Sequence, residues 1–233
     1  MKIILIGYGK MAKAVEVEAI KRNHTISEII FHGDLNKLKK ESGEVVVEFT
    51  NPNSAFENIR ECLNLGLPVI SGTTGWLDKK SEIDAHCLKM DGTFFYASNF
   101  SIGVNLFLKI NKAVAGIMER KGYQISIEEI HHIHKKDAPS GTAISIANNI
   151  LQNTTEYKEW ALNQNKPYTI PIEAIREGEV PGTHKVSYSS DVDKIALTHE
   201  AYGREGFAKG VISAVEWISG KKGPMGMDDL LNI

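Results

Sequence analysis

The sequence predicts an α/β protein with a parallel β-sheet in its N-terminal half and a second, α+β domain after it. Over the first hundred residues, short apolar runs alternate with helical patterns. Strands that alternate with helices pair in parallel through right-handed crossovers. Near residue 100 the rhythm changes to a long helix followed by alternating strand patterns. The 233 residues are also sufficient for two small domains.

Five strands and two helices are predicted in the N-terminal half. A continuous apolar run such as the first is typical of a strand covered on both faces. The strands are Ile3–Ile6, Ile26–Phe31, Val45–Phe49, Pro68–Ile70 and Phe94–Ala97. One helix, Lys10–Arg22, carries Met11, Val15 and Ala19 on one stripe. The other is capped by Asn53 or Ser54, carries Phe56, Ile59 and Leu63 on one face and ends at Gly66.

The later half is predicted to contain three helices, three strands and a loop. The helices are Val104–Met118, with Val104, Phe107, Leu108 and Ile117 in the core, Thr142 to about Gln152, and Phe207–Ser219. The strands are Gln124–Ile130, Val186–Tyr188 and Ile195–Thr198, and the last two are expected to pair. The polar segment Asn153–Pro171 is expected to be an irregular surface loop. The pattern alone allows the last helix to join either domain.

Composition excludes several classes of protein. The content of 42% hydrophobic and 24% charged residues is that of a globular protein. A net charge of -2 gives no global positive field for nucleic acid or an anionic membrane. Cys62 and Cys87 form neither a disulfide framework nor a zinc or redox motif. The apolar run before Gly7 is too short for a signal peptide or a membrane span. We therefore expect a cytoplasmic protein.

A glycine motif follows the first strand. Residues 7–12 read GYGKMA and open the first helix, a G-x-G-x-x-A form of the dinucleotide fingerprint. Gly7 allows the tight turn, Gly9 lets the backbone approach a pyrophosphate, and Ala12 lets the helix pack close to the strand. The helix N-terminus offers amides to the phosphates. The alternative is a glycine turn without a ligand, but the strand, the helix and the placement agree with a cofactor site.

The segment 128–143, EEIHHIHKKDAPSGTA, combines proton donors with an anion site. Histidines and lysines end a strand, and the chain then turns through Pro139 into a helix. There, Ser140, Gly141 and Thr142 present backbone amides suited to a carboxylate or phosphate. Histidine supplies protons near neutral pH, and Lys135 supplies a point charge. The segment indicates an anionic substrate and a reduction, in which hydride addition leaves a carbanion-like centre that needs a proton.

This segment allows three other interpretations. His131, His132 and His134 could bind a metal ion, but no cysteine or close carboxylate set completes a tetrahedral shell, and we expect no metal. The lysines could be a solvated pair, which we expect for Lys136. The Ser140–Thr142 amides could simply cap the helix, and this role is compatible with ligand binding.

Residues 131–142, HHIHKKDAPSGT, resemble the H-H-x-x-K-x-D-A-P-S-G-T signature of the 4-hydroxy-tetrahydrodipicolinate reductase family, also called dihydrodipicolinate reductases. Residues 71–76, SGTTGW, are similar to its G-T-T-G-[FW] loop, and residues 97–105, ASNFSIGVN, to its A-N-F-S-x-G-V-N segment. Residues 207–221 are similar to its closing helix. The resemblance spans the whole chain.

The resemblance implies a Rossmann-like dinucleotide-binding domain, residues 1–102 and 204–233, and a central α+β domain, residues 103–203, that binds substrate and forms a homotetramer. It implies reduction by NADH or NADPH of the dihydropyridine formed by loss of water from 4-hydroxy-tetrahydrodipicolinate. The product, tetrahydrodipicolinate, is a precursor of diaminopimelate and lysine. The expected partner is a small dicarboxylate substrate.

The resemblance also implies roles for particular residues. His131 is the proton donor/acceptor, Lys135 is a second proton donor, and His132, Gly141 and Thr142 hold the substrate carboxylates. The charge of Lys135 and the amide of Ser140 add these two residues to the substrate-binding set. Phe100 is expected near the nicotinamide. The cofactor-binding set is Gly7, Tyr8, Gly9, Lys10, Met11, Ala12, Gly72, Thr73, Thr74, Ala97, Ser98, Asn99 and Phe100.

The chain departs from the family pattern in three places. Ala12 replaces the usual third glycine, and the stretch between the second and third strands is brief. After the second strand the chain reads Phe31-His32-Gly33-Asp34, where many members carry an acidic residue. Asp34 can bind the adenosine ribose and favour NADH. Lys37, Lys39 and Lys40 could approach the extra phosphate of NADPH, so we predict that both cofactors work, with NADH equal or modestly preferred.

Two other functions were considered. One is a dehydrogenase on the same scaffold for another amino acid precursor, such as an aspartate-derived semialdehyde, which would need a different substrate loop. The other is a non-enzymatic nicotinamide sensor, which would not need a proton donor and a lysine beside an anion site.

Overall fold

The computed structural model describes residues 1–31, 34–203 and 205–232. The chain divides into two compact units. Unit 1 comprises residues 1–102 and 205–233, and unit 2 comprises residues 103–204. Among the described residues, no helix is both long and apolar enough to span a membrane.

Unit 1 is built on a six-stranded parallel sheet. Its strands are β1 (Lys2–Ile6), β2 (Thr25–Ile30), β3 (Val45–Glu48), β4 (Val69–Ser71), β5 (Thr93–Tyr96) and, near the C-terminus, β11 (Gly223–Met225). They lie in the order β11-β5-β4-β3-β1-β2, and all pairs are parallel. The first strand therefore lies inside the sheet, between β3 and β2, and Ile3–Ile6 are buried, as the continuous apolar run predicts.

Helices cover both faces of this sheet. The helices of unit 1 are α1 (Lys10–Lys21), α2 (Pro52–Asn64), α3 (Lys80–Lys89), α6 (Glu205–Trp217) and α7 (Met227–Leu231). The core on one face joins α1 and α6, for example through Val15 and Val211. The core on the other face includes Ile59 of α2 and Ile83 of α3. Helix α6, which the pattern alone could not assign, thus belongs to unit 1.

Unit 2 is a mixed five-stranded sheet with two helices. Its elements are α4 (Ile102–Met118, which begins one residue before the boundary), β6 (Gln124–His131), α5 (Gly141–Leu151), β7 (Glu159–Leu162), β8 (Thr169–Arg176), β9 (Thr183–Ser189) and β10 (Lys194–Glu200). The strand order is β10-β9-β6-β8-β7. The predicted pairing of β9 with β10 is confirmed and is antiparallel. Together the two sheets confirm the predicted class, a Rossmann-like parallel domain with a second α+β layer.

The segment Asn153–Pro171 was wrongly predicted to be an irregular loop. It contains all of β7 and the start of β8. Proline usually argues against a strand interior. Here Pro171 pairs with Ala161 of β7, whereas the pairing of β8 with β6 begins only at Ile172. The missing N–H of Pro171 therefore does not interrupt the pairing with β6.

Smaller differences concern helix ends and exposure. The side chain that caps α2 is Asn51, which accepts the Asn53 amide at 3.0 Å, and not Asn53 or Ser54. Ile117 is 67% exposed and does not belong to the core. Helix α3, strand β11 and helix α7 were not predicted, because β11 and α7 are short and α3 has a weakly amphipathic sequence.

Candidate functional site

The glycine turn after β1 tolerates no side chain at its first position. Gly7 has φ +85°, and its amide donates to the Ile30 carbonyl at 2.9 Å. A Cβ on Gly7 would lie 2.2 Å from the carbonyl oxygen of Phe49, well inside van der Waals contact. The turn is therefore restricted to glycine both by its backbone conformation and by the close approach of the segment after β3.

Gly9 leaves the start of α1 open. It is the N-cap residue, and no side chain caps this helix. A Cβ built on Gly9 would meet nothing within 4 Å. The first amides of α1 consequently face a space in which an anionic group can approach the backbone, as a pyrophosphate does in a dinucleotide fold.

A cavity of about 370 Å³ lies at the carboxyl ends of β1, β3 and β4. It brings two of the predicted cofactor segments together. Its lining residues are Gly9, Lys10, Met11, Ala12, Phe49, Thr50, Pro52, Gly72, Thr73 and Thr74. A Cβ on Gly72 would lie 2.1 Å from the Phe49 ring, so glycine is required there as well. In open α/β sheets, ligands bind at this end of the strands.

Glu48 supports this cavity and was not predicted. It ends β3, its surface is 0% exposed, and its carboxylate accepts hydrogen bonds from the hydroxyls of Ser71 (2.6 Å), Thr73 (2.9 Å) and Thr50. Thr73 in turn accepts the Thr50 amide at 2.8 Å. Burial raises the pKa of Glu48, and these hydroxyls oppose the rise. The signal in the sequence was an acidic residue at the end of an otherwise apolar strand.

The segment Ala97–Phe100 does not line this cavity. Ala97 and Phe100 are buried in the core of unit 1, and the Phe100 ring stacks on Phe95 with centroids 5.8 Å apart. Ser98 is exposed. Asn99 accepts the Ser101 amide at 2.8 Å. Their predicted contact with the cofactor therefore stays a prediction.

The structure places the residues near the predicted ribose position as follows. Asp34 is paired with Lys37 at 3.1 Å. Tyr8 donates its hydroxyl to Glu16 at 2.5 Å, and its ring lies edge-on to Phe31, with centroids 6.2 Å apart. His32 and Gly33, which were also expected to face the ribose, lie outside the described residues.

In unit 2, His131 ends strand β6 beside a buried carboxylate. His131 is 8% exposed and Glu129, two residues earlier on the same face of the strand, is 0% exposed. Glu129 Oε2 lies 3.5 Å from His131 Nδ1. Burial lowers the pKa of His131, and Lys135 and Arg176 lower it further, whereas Glu129 opposes this effect.

Two neighbouring strands complete the surroundings of His131. Arg176 of β8 is paired with His131 in the sheet register, and His184 of β9 with Glu129. Arg176 donates to Glu129 at 3.1 Å, and the rings of His184 and His131 lie 5.1 Å apart. Burial lowers the pKa of His184 to about 4, with a further contribution from His131. Since these pairings join distant segments, the sequence offered no local signal for Arg176 or His184.

The start of α5 is fixed to the same cluster. Ser140 is the N-cap residue, and its hydroxyl accepts the Ala143 amide at 3.2 Å. Its own amide donates to both oxygens of Glu129, at 3.0 and 3.1 Å. The next two amides, those of Gly141 and Thr142, belong to the first helical turn and have no acceptor within the helix. Gly141 is exposed, and a Cβ there would meet nothing within 4 Å.

Lys135 and Lys136 differ in exposure. The Lys135 ammonium donates to both carboxylate oxygens of Asp137 at 2.8 Å, and its side chain is 20% exposed. This hydrogen bond lowers the pKa of Asp137. Lys136 is exposed. His132 is half-buried, and His134 is exposed beside Glu179 at 3.5 Å.

A carboxylate close to His131 does exist, contrary to the reason given above against a metal site. Glu129, His131 and His184 each offer a ligand atom within 4.8 Å of the others. However, the carboxylate already binds the Arg176 guanidinium and the Ser140 amide. A metal ion would have to displace these donors and tolerate the nearby guanidinium charge. The cluster is better described as an ion-pair network.

The two units together define a class of protein. A glycine cradle at a helix start suits a dinucleotide, and a buried histidine beside a lysine and free helix amides suits proton transfer to an anionic substrate. This is a reductase that uses a nicotinamide nucleotide.

Comparison with known proteins specifies the family. The model described as "Dihydrodipicolinate reductase, N-terminus" matches residues 1–100, and the one described as "Dihydrodipicolinate reductase, C-terminus" matches residues 103–231. The chain therefore belongs to the dihydrodipicolinate reductase family, whose members are NAD(P)H-dependent oxidoreductases.

Individual relatives agree with this assignment. The 4-hydroxy-tetrahydrodipicolinate reductase of Christiangramia forsetii is 44% identical over 237 residues, covering 100% of this chain and 98% of the relative. That of Buchnera aphidicola is 36% identical over 213 residues, covering 85% and 75%. A dipicolinate-bound dihydrodipicolinate reductase from Paenisporosarcina sp. TG-14 has a similar structure, with a TM-score of 0.80, 23% identity and coverage of 98% and 99%. At that identity the structural likeness shows the fold alone.

Proposed function

We propose that this chain catalyses the reaction for which its relatives are named. It would reduce the dihydropyridine formed by loss of water from 4-hydroxy-tetrahydrodipicolinate, with NADH or NADPH, to give tetrahydrodipicolinate for diaminopimelate and lysine synthesis. Unit 1 is the dinucleotide-binding unit, and unit 2 binds the substrate. The observation that carries the proposal is the buried Glu129–His131 pair joined through Ser140 to the open start of α5.

The cavity of unit 1 suits the cofactor. The amides of residues 7–12 receive the pyrophosphate, and Gly72, Thr73 and Thr74 form a wall of the same cavity. The absence of a side chain at Gly9 supports this assignment, because it lets a pyrophosphate approach the backbone amides. The bound nicotinamide supplies the hydride. By family resemblance, residues 97–100 also contact it.

The start of α5 suits the substrate carboxylates. The amides of Gly141 and Thr142 and the partial positive charge of the helix end attract an anion. Ser140 fixes this end by capping it. Lys135 adds an ammonium that already binds one carboxylate, that of Asp137, in bidentate contact. His132 lies three residues before Lys135 in sequence and is half-buried. One substrate carboxylate can thus bind the Gly141 and Thr142 amides, and the other can bind the Lys135 ammonium.

His131 then supplies the proton, with Lys135 as a second donor. When the substrate accepts a hydride, a carbanion-like centre forms and must be protonated. Burial lowers the pKa of His131, which makes its protonated form a stronger acid. The adjacent Glu129 carboxylate favours that protonated form. His131 therefore combines acidity with a nearby counter-charge.

The activity test is direct. The purified chain is mixed with NADH or NADPH and freshly generated 4-hydroxy-tetrahydrodipicolinate, and cofactor oxidation is followed at 340 nm, the absorbance of reduced nicotinamide. Aspartate semialdehyde serves as the comparison substrate. We expect oxidation with the first substrate alone. Turnover of the semialdehyde alone would favour the other dehydrogenase function, and binding of NADH without turnover of either would favour a sensor.

We also propose a cytoplasmic homotetramer assembled through unit 2. The family resemblance suggests it, and two features of unit 2 support it. Strand β10 is an edge strand, with Ile195 44% exposed, and helix α4 exposes Ile110 and Ile117. Exposed strand edges and apolar side chains are suited to subunit contact. Sedimentation velocity at micromolar concentration should give a tetramer, and a monomer would refute this assembly.

A further inference from the structure

Glu129 is a buried carboxylate that binds groups from several parts of unit 2. It lies on β6, is 0% exposed, and accepts the Ser140 amide with both oxygens. Arg176 donates to it from β8 at 3.1 Å. A buried carboxylate is retained at this depth only where such donors compensate its lost hydration. The donors come from two different elements, the start of α5 and strand β8, so one carboxylate fixes the positions of both relative to β6.

The same network reaches both predicted proton donors. Arg176 also donates to the Asp137 carbonyl at 2.6 Å, and the Asp137 carboxylate holds Lys135. On its other side, Glu129 Oε2 lies 3.5 Å from His131 Nδ1, and that nitrogen is buried without a hydrogen-bond partner. Glu129 is thus the nearest group able to accept a proton from His131 Nδ1.

The other nitrogen of His131 lies against a glycine. A Cβ built on Gly182 would be 3.0 Å from His131 Nε2. A side chain at position 182 would therefore crowd Nε2, whereas Nδ1 faces Glu129. The two nitrogens thus lie in different surroundings, Nδ1 beside a carboxylate and Nε2 beside a glycine.

We propose that Glu129 is a positioning residue that acts through His131: its carboxylate binds the Nδ1 side of the imidazolium and directs Nε2 toward the substrate. The Arg176 guanidinium, which also binds Glu129, disfavours the protonated form of His131. The proposal rests on the proposed function, because it requires His131 to be the proton donor. Neither Glu129 nor Arg176 is required to touch the substrate.

The charges around His131 give the proposal a signature that a purely structural role lacks. The charged and titratable groups that face His131 are Glu129 on its own strand, Lys135 and Asp137 in the following turn, Arg176 on β8 and His184 on β9. Glu129 favours the protonated imidazole and Arg176 disfavours it. Activity that needs protonated His131 is lost as pH rises through its pKa. Removing the Glu129 charge should move that loss to lower pH, and removing the Arg176 charge should move it to higher pH.

The experiment compares Glu129→Gln, Arg176→Gln and a control, Glu128→Gln. Gln at 129 can still accept the Ser140 amide but carries no charge. Thermal unfolding shows whether the variant is folded. Glu128 is the adjacent acidic residue, is partly exposed, and pairs only loosely with Lys185 at 3.8 Å. We expect Glu129→Gln to lower kcat by roughly 10- to 100-fold and to shift the alkaline limb of kcat/KM down by about one pH unit. Arg176→Gln should shift it up, and Glu128→Gln should leave it in place.

A double variant tests whether Glu129 acts through His131. In a His131→Gln background, Glu129→Gln should lower kcat by less than about twofold, because the group it positions is gone. A further full loss would overturn the proposal. So would an unmoved alkaline limb in folded Glu129→Gln, or shifts of the same sign in both single variants. If Glu129→Gln fails to fold, the Arg176→Gln variant decides. A shift of its alkaline limb to higher pH supports the proposal, and a shift to lower pH or no shift overturns it.

These outcomes are separable from failure of the proposed function. A wild-type chain that does not oxidise NADH with the dihydropyridine substrate refutes the function itself. A fully active wild type with an unaltered pH profile in both single variants refutes only the role of Glu129.

Discussion

Replacing Lys135 by alanine should greatly reduce catalytic efficiency, whereas replacing the adjacent Lys136 should not. The Lys135 side chain is 20% exposed and binds both oxygens of Asp137 at 2.8 Å. If Lys135 holds a substrate carboxylate in a shielded cleft, removing this partner costs about 2–5 kcal/mol. At about 1.4 kcal/mol per decade, kcat/KM should fall by roughly 30- to 4,000-fold. Lys136 is exposed, so its removal should change kcat/KM by less than about twofold.

The assay is initial-rate oxidation of NADH with the two variants and the wild type, over a range of substrate concentrations. Dipicolinate, a stable dicarboxylate, serves as a binding probe by calorimetry. A loss in kcat/KM with weakened dipicolinate binding is expected for Lys135→Ala if it holds a carboxylate. Similar losses in both lysine variants would refute the reasoning, and so would an unaffected Lys135→Ala.

Two further predictions concern the cofactor and stability. Wild type should use NADH as well as or modestly better than NADPH. Asp34→Ala removes the carboxylate and frees Lys37, so it should shift the kcat/KM ratio toward NADPH. A wild-type NADPH preference above about tenfold, or an unchanged ratio in the variant, would contradict the role of Asp34. His184 has a folded-state pKa of about 4 against its usual 6.5, so the unfolded chain binds the extra proton first and stability is lost as pH falls from 6.5 to 4. Urea unfolding should show that the wild type loses roughly 3 kcal/mol more than His184→Gln over this interval, and equal losses would be inconsistent with a buried neutral His184.

Most of the fold could be predicted because its signals are local. The buried strand β1, the glycine turn and the amphipathic stripe of α1 are each contained in a few consecutive residues. Strands β7 and β8 were missed because their stability comes from pairing with each other and with β6. Because Pro167 and Pro171 interrupt this segment, the buried residues Ile170 and Ile172 did not stand out as a strand pattern. In this segment, strand pairing in the folded sheet outweighs the local preference of the sequence for a loop.

The site was partly predictable for the same reason. His131, Lys135 and Ser140 lie within ten residues, so their sequence spacing alone suggested a cluster. Glu129 could also have been found, because residues two apart on a strand share a face. Arg176 and His184 could not, since only the register of β8 and β9 against β6 brings them to this cluster. The charges of Arg176 and His184 around the predicted acid therefore result from strand pairing and not from the motif.

The most direct test of His131 as the proton donor compares the effects of His131→Gln on catalysis and on cofactor binding, measured side by side. A positioned general acid contributes ~10²–10⁴-fold in rate. With freshly generated substrate, His131→Gln should therefore lower kcat by that factor, while the Kd for NADH, measured by fluorescence, stays close to that of wild type. A variant that keeps near wild-type kcat would contradict the assignment of His131 as the proton donor.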